Sequence, residues 1–342
     1  MKEKLYQATA DILIKNMQVL DADFIWKPVI CVFDTHSELS KLLAEWYENT
    51  IKDIENAQMI DFDSLPKEEL KEKLMSLPEW ATVILVQSTN FRLDDFRIRL
   101  NLNNQGVGCL EHNHLWYLPS EHTENYIDSI VYNSDYYEEL SDKMHEVFST
   151  GNKLEMQTVS WDILTVEWGF EQMKRNTGDY TGKKRGWTFP IGENFTEAKD
   201  FLRVNGSFTV FAYPDERFQV QFADEPFRLE VRESLITCDD PKCPQVFRDL
   251  LDQIAASEDG EVHMRELGFG MNTGISKQKR LSNIWAYERV TGFHMSLWKK
   301  HNIYRKKFHK SITQRYHIDI FPDVDTIRVD GKMIFQDWKY VL

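Results

Sequence analysis

The chain has 342 residues, of which 42% are hydrophobic and 13% aromatic, enough to bury the cores of two ordinary domains and too apolar for a disordered protein. A formal net charge of -14 excludes a general nucleic-acid binder, because the phosphate backbone would be repelled. Neither a signal-like apolar core near Met1 nor an apolar run of about 18 residues occurs, so export and membrane spanning are not expected and a cytoplasmic protein is.

Leu5, Ala8, Ile12, Leu13 and Met17 recur at helical spacing and predict a helix over 3–20. Pro28 to Phe33 is a short, continuously apolar run. It ends in Asp34-Thr-His36-Ser and is followed by an amphipathic pattern, Leu39, Leu42, Leu43, Trp46, Tyr47 and Ile51, so a strand feeds a helix. The unit recurs as a helix over 66–76 and a buried strand over Ala81 to Gln87. Alternating strands and helices imply a parallel sheet, whose strand ends open onto ligand clefts.

His112, His114 and His122 crowd residues 109–124 together with Glu111, Glu121 and Glu124. The spacing lacks the i, i+4 histidine pair of helical zinc sites, and Trp116-Tyr-Leu-Pro119 reads as a surface loop or cleft wall, so a substrate contact is favoured over a metal site. The four cysteines, Cys31, Cys109, Cys238 and Cys243, are too scattered for a disulfide framework. Cys238-Asp-Asp-Pro-Lys-Cys243 is half of a zinc motif with no second half, and free thiols in a turn are expected there.

A helix over 136–147 and strands over 154–159 and 164–168 open a second domain. The fold expected is an α/β N-terminal domain, 1–133, and an α+β C-terminal domain, 134–342, with the active cleft between them. Residues 206–237 alternate as an antiparallel pair, and 242–257 read as a helix. Glu193 follows Pro190-Ile-Gly192 and is expected on a loop. Glu266 lies in a strand running into a Gly268-Phe-Gly270 turn, on the opposite face from His263 and Arg265. His317-x-Asp319 alternates, so both side chains leave one face of an extended strand and can converge on one ion. With Glu193, Glu266 and His294 they give three carboxylates and two imidazoles, more than a structural zinc takes and suited to a pair of divalent cations. The lysines and arginines over 299–310 read as a solvated helix face.

Four segments carry a resemblance: Phe189-Pro-Ile-Gly192-Glu193-Asn-Phe-Thr196, Glu266-Leu-Gly-Phe-Gly270-Met-Asn272, Glu288-Arg-Val-Thr-Gly292-Phe-His294, and His317-Ile-Asp319 followed by Asp330-Gly331. In this order they resemble the metal-binding segments of the thermophilic aminopeptidase T family, the M29 metallopeptidases, over roughly residues 185–335. The resemblance implies that Glu193, Glu266, His294, His317 and Asp319 hold two divalent ions (zinc, cobalt or manganese) that activate a water to cleave the N-terminal bond of a peptide or small amide. The family has a tyrosine seven positions after its histidine. Here that position is His301, with Tyr304 the nearest tyrosine, and the resemblance makes these two the candidate catalytic groups. It also implies a homodimer, with the apolar end Met333–Trp338 as a hairpin at the contact. A second branch that the chain resembles, the 2,5-dihydroxypyridine dioxygenases, uses one Fe(II); a set such as His294, His317 and Asp319 would meet that requirement. Chain length and the Gly268-Phe-Gly270 segment favour that branch, and Glu266 with His294 favours the peptidases.

Overall fold

The structure, a computed structural model, describes residues 2–18, 27–89, 91, 93, 98–112, 115, 118–178, 185–257, 260–297 and 317–342. In chain order the elements are α1 (Lys2–Gln18), β1 (Val29–Phe33), α2 (Glu38–Ile51), β2 (Ala57–Asp61), α3 (Lys67–Met75), β3 (Thr82–Val86), α4 (Ile98–Asn104), β4 (Gly108–His112), α5 (Thr123–Ser129) and α6 (Ser134–Thr150). Then come β5 (Leu154–Thr158), β6 (Ile163–Val166), β7 (Lys174–Asn176), β8 (Gly186–Thr188), β9 (Glu193–Glu197), β10 (Val204–Pro214), β11 (Val220–Arg232), β12 (Leu235–Thr237) and α7 (Gln245–Ser257). The last are β13 (Met264–Gly270), α8 (Ile284–Tyr287), β14 (Gly292–Leu297), β15 (Ile318–Pro322), β16 (Val324–Val329), β17 (Lys332–Gln336) and β18 (Lys339–Tyr340). Among the described residues no helix is long and apolar enough to cross a membrane.

The fold is mixed α/β, with one parallel and one antiparallel sheet, and the chain divides into two compact units. Met1–Ser134, Gly178–Ile191 and Lys277–Leu281 make the first; Asp135–Thr177, Gly192–Ser276 and Ser282–Leu342 make the second.

In the first unit the strands run parallel in the order β2-β1-β3-β4-β8. The apolar runs of β1 and β3 are central strands. Ile30, Val32, Val83 and Leu85 pack with Leu70 and Leu74 of α3 and with Ile98 and Leu102 of α4. Burial on both faces is why these strands lack alternation. Ser37 caps α2, accepting from the Ser40 backbone N–H at 3.0 Å.

The second unit is built on an antiparallel sheet in the order β18-β17-β16-β5-β6-β10-β15-β14-β13-β9-β7, with β11 paired to β10. Its terminal strands spend their apolar side chains on their own unit. Phe335 and Ile334 are buried, Trp338 packs edge-on against Phe211, and the Tyr340 hydroxyl lies 2.8 Å from the carbonyl oxygens of Gly270 and Gly292. Asp330 sits at the β16–β17 turn with φ +48°, and its carboxylate accepts from the backbone N–H groups of Asn152 and Lys153. It is a turn residue.

Candidate metal centre

Directly paired residues of antiparallel strands project from the same face, and alternate residues along a strand share it. The registers set Gly270 against Glu193, Gly268 against His294, and Ser296 against Asp319. Glu193 of β9, Glu266 of β13, His294 of β14 and Asp319 of β15 therefore leave one face of four neighbouring strands. His317 precedes β15 by one residue and joins them there.

The same registers correct two sequence expectations. Gly268 and Gly270 are strand residues of β13, and Glu193 begins β9; neither glutamate is on a loop. The glycines are there for room. A Cβ at Gly268 would overlap the imidazole of His294, and one at Gly270 would overlap the carbonyl of Val290. Glu266-x-Gly268-x-Gly270 is thus a period-two pattern in which one missing side chain makes space for the His294 ring and the other for the backbone at Val290.

His294 Nε2 lies 3.1 Å from Glu193 Oε1 and 3.9 Å from Glu266 Oε1. His317 Nε2 lies 3.8 Å from Glu266 Oε1 and 3.2 Å from Asp319 Oδ1. Donors bound to one cation at about 2.1 Å stand roughly 3–3.5 Å apart, so the spacing is close to that of a ligand set. His294 and Asp319 are fully buried, whereas the His317 side chain is 29% exposed and marks the open side. Among the described residues, neither ring nitrogen of His294 and neither carboxylate oxygen of Asp319 makes an aligned hydrogen bond. Buried polar atoms are nearly always satisfied, and unsatisfied atoms of imidazole and carboxylate type, converging as these do, fit a divalent cation.

Two residues that sequence reasoning left without a role complete the centre. Glu288, capping α8, falls within 4.8 Å ligand groupings with Glu193 and His294 and with His317 and Asp319. Arg289 follows it, and its Nη1 lies 2.9 Å from Glu193 Oε2 and bonds Glu288 Oε1. The available signal was a charged pair ending the apolar stretch Ile284-Trp-Ala-Tyr287, a place where a solvated face does not need one.

Charges are strongly coupled here. Burial, with Glu193 and Asp319 close by, pushes the Glu266 carboxyl up to about 8 against the pull of His317. Burial likewise raises Glu288 well above the carboxylate range, although Arg289 opposes it. For Glu193 burial is outweighed by Arg289 and His294, which hold it below the usual range. Asp319 is held low against burial by His317, and His317 is held protonated well above its ordinary range by Asp319 and Glu266. A proton on His317 and on Glu266 occupies positions that a cation would take, and cation binding releases such protons.

Other candidates lie elsewhere. Trp116 and Tyr117 lie outside the described residues, while His112 itself ends the buried strand β4, its Nε2 2.8 Å from the Tyr47 hydroxyl and its Nδ1 2.9 Å from that of Tyr126, stacked on Phe189. Burial pushes it down to about 3, so it is a neutral core histidine. His263 bonds Ser234 and Glu261 at 2.9 Å each. His301, Tyr304 and His114 lie outside the described residues.

No protein-family model matches the chain, and no curated protein matches it. A solved structure, that of 2,5-dihydroxypyridine dioxygenase from Pseudomonas putida KT2440, is similar over 100% of this chain and 98% of that chain, with a TM-score of 0.67 at 12% identity. At that identity the likeness is one of fold.

Proposed function

We propose that the chain is a metal-dependent hydrolase that cleaves an amide bond of a peptide or small amide substrate. The observation that carries this reading is the donor set: Glu266, His294 and Asp319 converge, with His317 beside Asp319, and the buried ring nitrogens of His294 and carboxylate oxygens of Asp319 have no aligned hydrogen-bond partner among the described residues. Two imidazoles and two carboxylates would hold a divalent ion at this site. A bound zinc, cobalt or manganese ion would supply an acidified water and a polarised carbonyl. The chain's own part is to hold the donors on a rigid sheet. His317, whose side chain is 29% exposed, is the member of the set that a substrate would reach, and Asp319 Oδ1 stands 3.2 Å from its Nε2 as a neighbouring donor. The roles of His301 and Tyr304 in stabilising a developing oxyanion rest on the sequence resemblance.

A second reading, a ring-opening oxygenase with one Fe(II), draws on the whole-chain likeness in fold to a 2,5-dihydroxypyridine dioxygenase and on the set His294, His317 and Asp319. Such a centre uses two histidines and one carboxylate and keeps three positions open. Glu266, with Oε1 3.8 Å and 3.9 Å from the two Nε2 atoms, is a fourth donor and counts against it. Zinc-, cobalt- or manganese-loaded protein is expected to release amine from an aminoacyl-amide panel, and chelator is expected to stop it. Iron-dependent oxygen uptake with a dihydroxylated ring substrate, and no amide cleavage, would replace the first reading with the second.

A further inference from the structure

The centre carries more carboxylates than one ion needs, and the obvious use for the surplus is a second ion. Three donor groupings are present: Glu193 with Glu288 and His294, Glu266 with His294 and Asp319, and Glu288 with His317 and Asp319. The first already holds a cation. Arg289 is 8% exposed, and one edge of its guanidinium engages Glu193 Oε2 at 2.9 Å and Glu288 Oε1 through the same Nη1. Its other edge is fixed by Asn176. With its carboxamide turned so that the oxygen faces the donors, Asn176 accepts from Nε at 3.2 Å and from Nη2 at 3.0 Å. A guanidinium held on both edges in a buried site is a built feature of the fold, since a buried charge is retained only with matched partners.

We propose that Arg289 takes the place of a second metal ion: it occupies oxygens of Glu193 and Glu288 that such an ion would use, and the centre binds a single divalent cation through Glu266, His294, His317 and Asp319. This rests on the metal-dependent reading above and sets the number of ions it uses. A dication placed among Glu193, Glu288 and His294 would meet the guanidinium within a few ångströms in a poorly screened interior, and two carboxylate oxygens it needs are already engaged. Arg289 cannot shed its charge to make way, because a guanidinium stays protonated in proteins.

The test is a manganese titration of the full chain, with free Mn(II) read by its electron paramagnetic resonance signal and bound metal by elemental analysis. Wild-type protein is expected to take one equivalent, with a second bound at least about 100-fold more weakly. Arg289→Met is expected to take two, and Arg289→Lys, which keeps the charge, one. Two tight equivalents in the wild type overturn this inference and leave the metal-dependent reading standing, and that result needs no variant to fold. A folded Arg289→Met that still takes one also overturns it. Wild-type protein that binds no metal overturns both.

Discussion

His112 offers a test of the first unit that is independent of catalysis. Its neutral ring has one N–H and one acceptor nitrogen, so one of Tyr47 and Tyr126 donates to it and the other accepts. A proton added to the ring would force the donating tyrosine to turn and accept, and would bury an unpaired charge. The folded ring therefore stays unprotonated down to about 3, while the unfolded chain takes its proton near 6.5. Between those values the unfolded state binds more protons, so the contribution is fully present above about 6.5 and is lost as the pH falls. The whole window is worth about 5 kcal/mol, and lowering the pH from 7.5 to 5 removes about 2 kcal/mol of it. The assay compares urea unfolding of the wild type and His112→Gln, which can bond both hydroxyls and does not titrate, at those two pH values. The stability difference between the two proteins should shift by about 2 kcal/mol in favour of the variant at the lower pH. Parallel pH dependences would show that the ring is not held neutral and would return His112 to the list of functional groups.

Two further outcomes bear on the centre. Gly268→Ala, which touches no ligand chemically, should cost most of the bound metal because its methyl group takes the space of the His294 ring, while far-ultraviolet circular dichroism stays near wild type; full metal content in that variant would refute the packing argument. Glu266→Gln removes a donor within 3.9 Å of both imidazoles, and should lower metal affinity by about 10–100-fold and abolish amide hydrolysis; an active variant with unchanged metal content would take Glu266 out of the ligand set.

What could be read from the sequence followed the reach of its signals. The apolar runs at β1 and β3 are unmistakable because they are buried on both faces, and His317-x-Asp319 announces its geometry through a two-residue period. Glu193, Glu266 and His294 were nameable through the resemblance, and Glu266 was legible on a strand, but β9, β14 and the continuation of β13 through its glycines were not. Gly268 and Gly270 read as a turn because propensity penalises glycine in strands, and only the pairing partner, His294, explains them. β8 was illegible for a different reason. Its three residues join the parallel sheet beside β4 after a long excursion of the chain, and nothing local encodes that partner. Glu288 and Arg289 were hidden because a charge pair following a one-turn helix looks like surface. Its meaning lies in Asn176 and Glu193, remote in sequence.

On the metal-dependent reading, the dispersal of the donors over β13, β14 and β15 would also make the ion a participant in folding. Only His317 and Asp319 are neighbours in sequence; Glu266 and His294 reach them once three strands have paired. The unfolded chain thus offers a cation little more than that pair, and an ion that binds the folded form alone adds RT ln(1 + [L]/Kd) to its stability, about 2.7 kcal/mol at a hundredfold excess over Kd. Such an increment is a sizeable share of what keeps an ordinary domain folded. Metal supply would then govern how long the protein survives proteolysis as well as how fast it turns over, and a starved cell would see its abundance fall along with its activity.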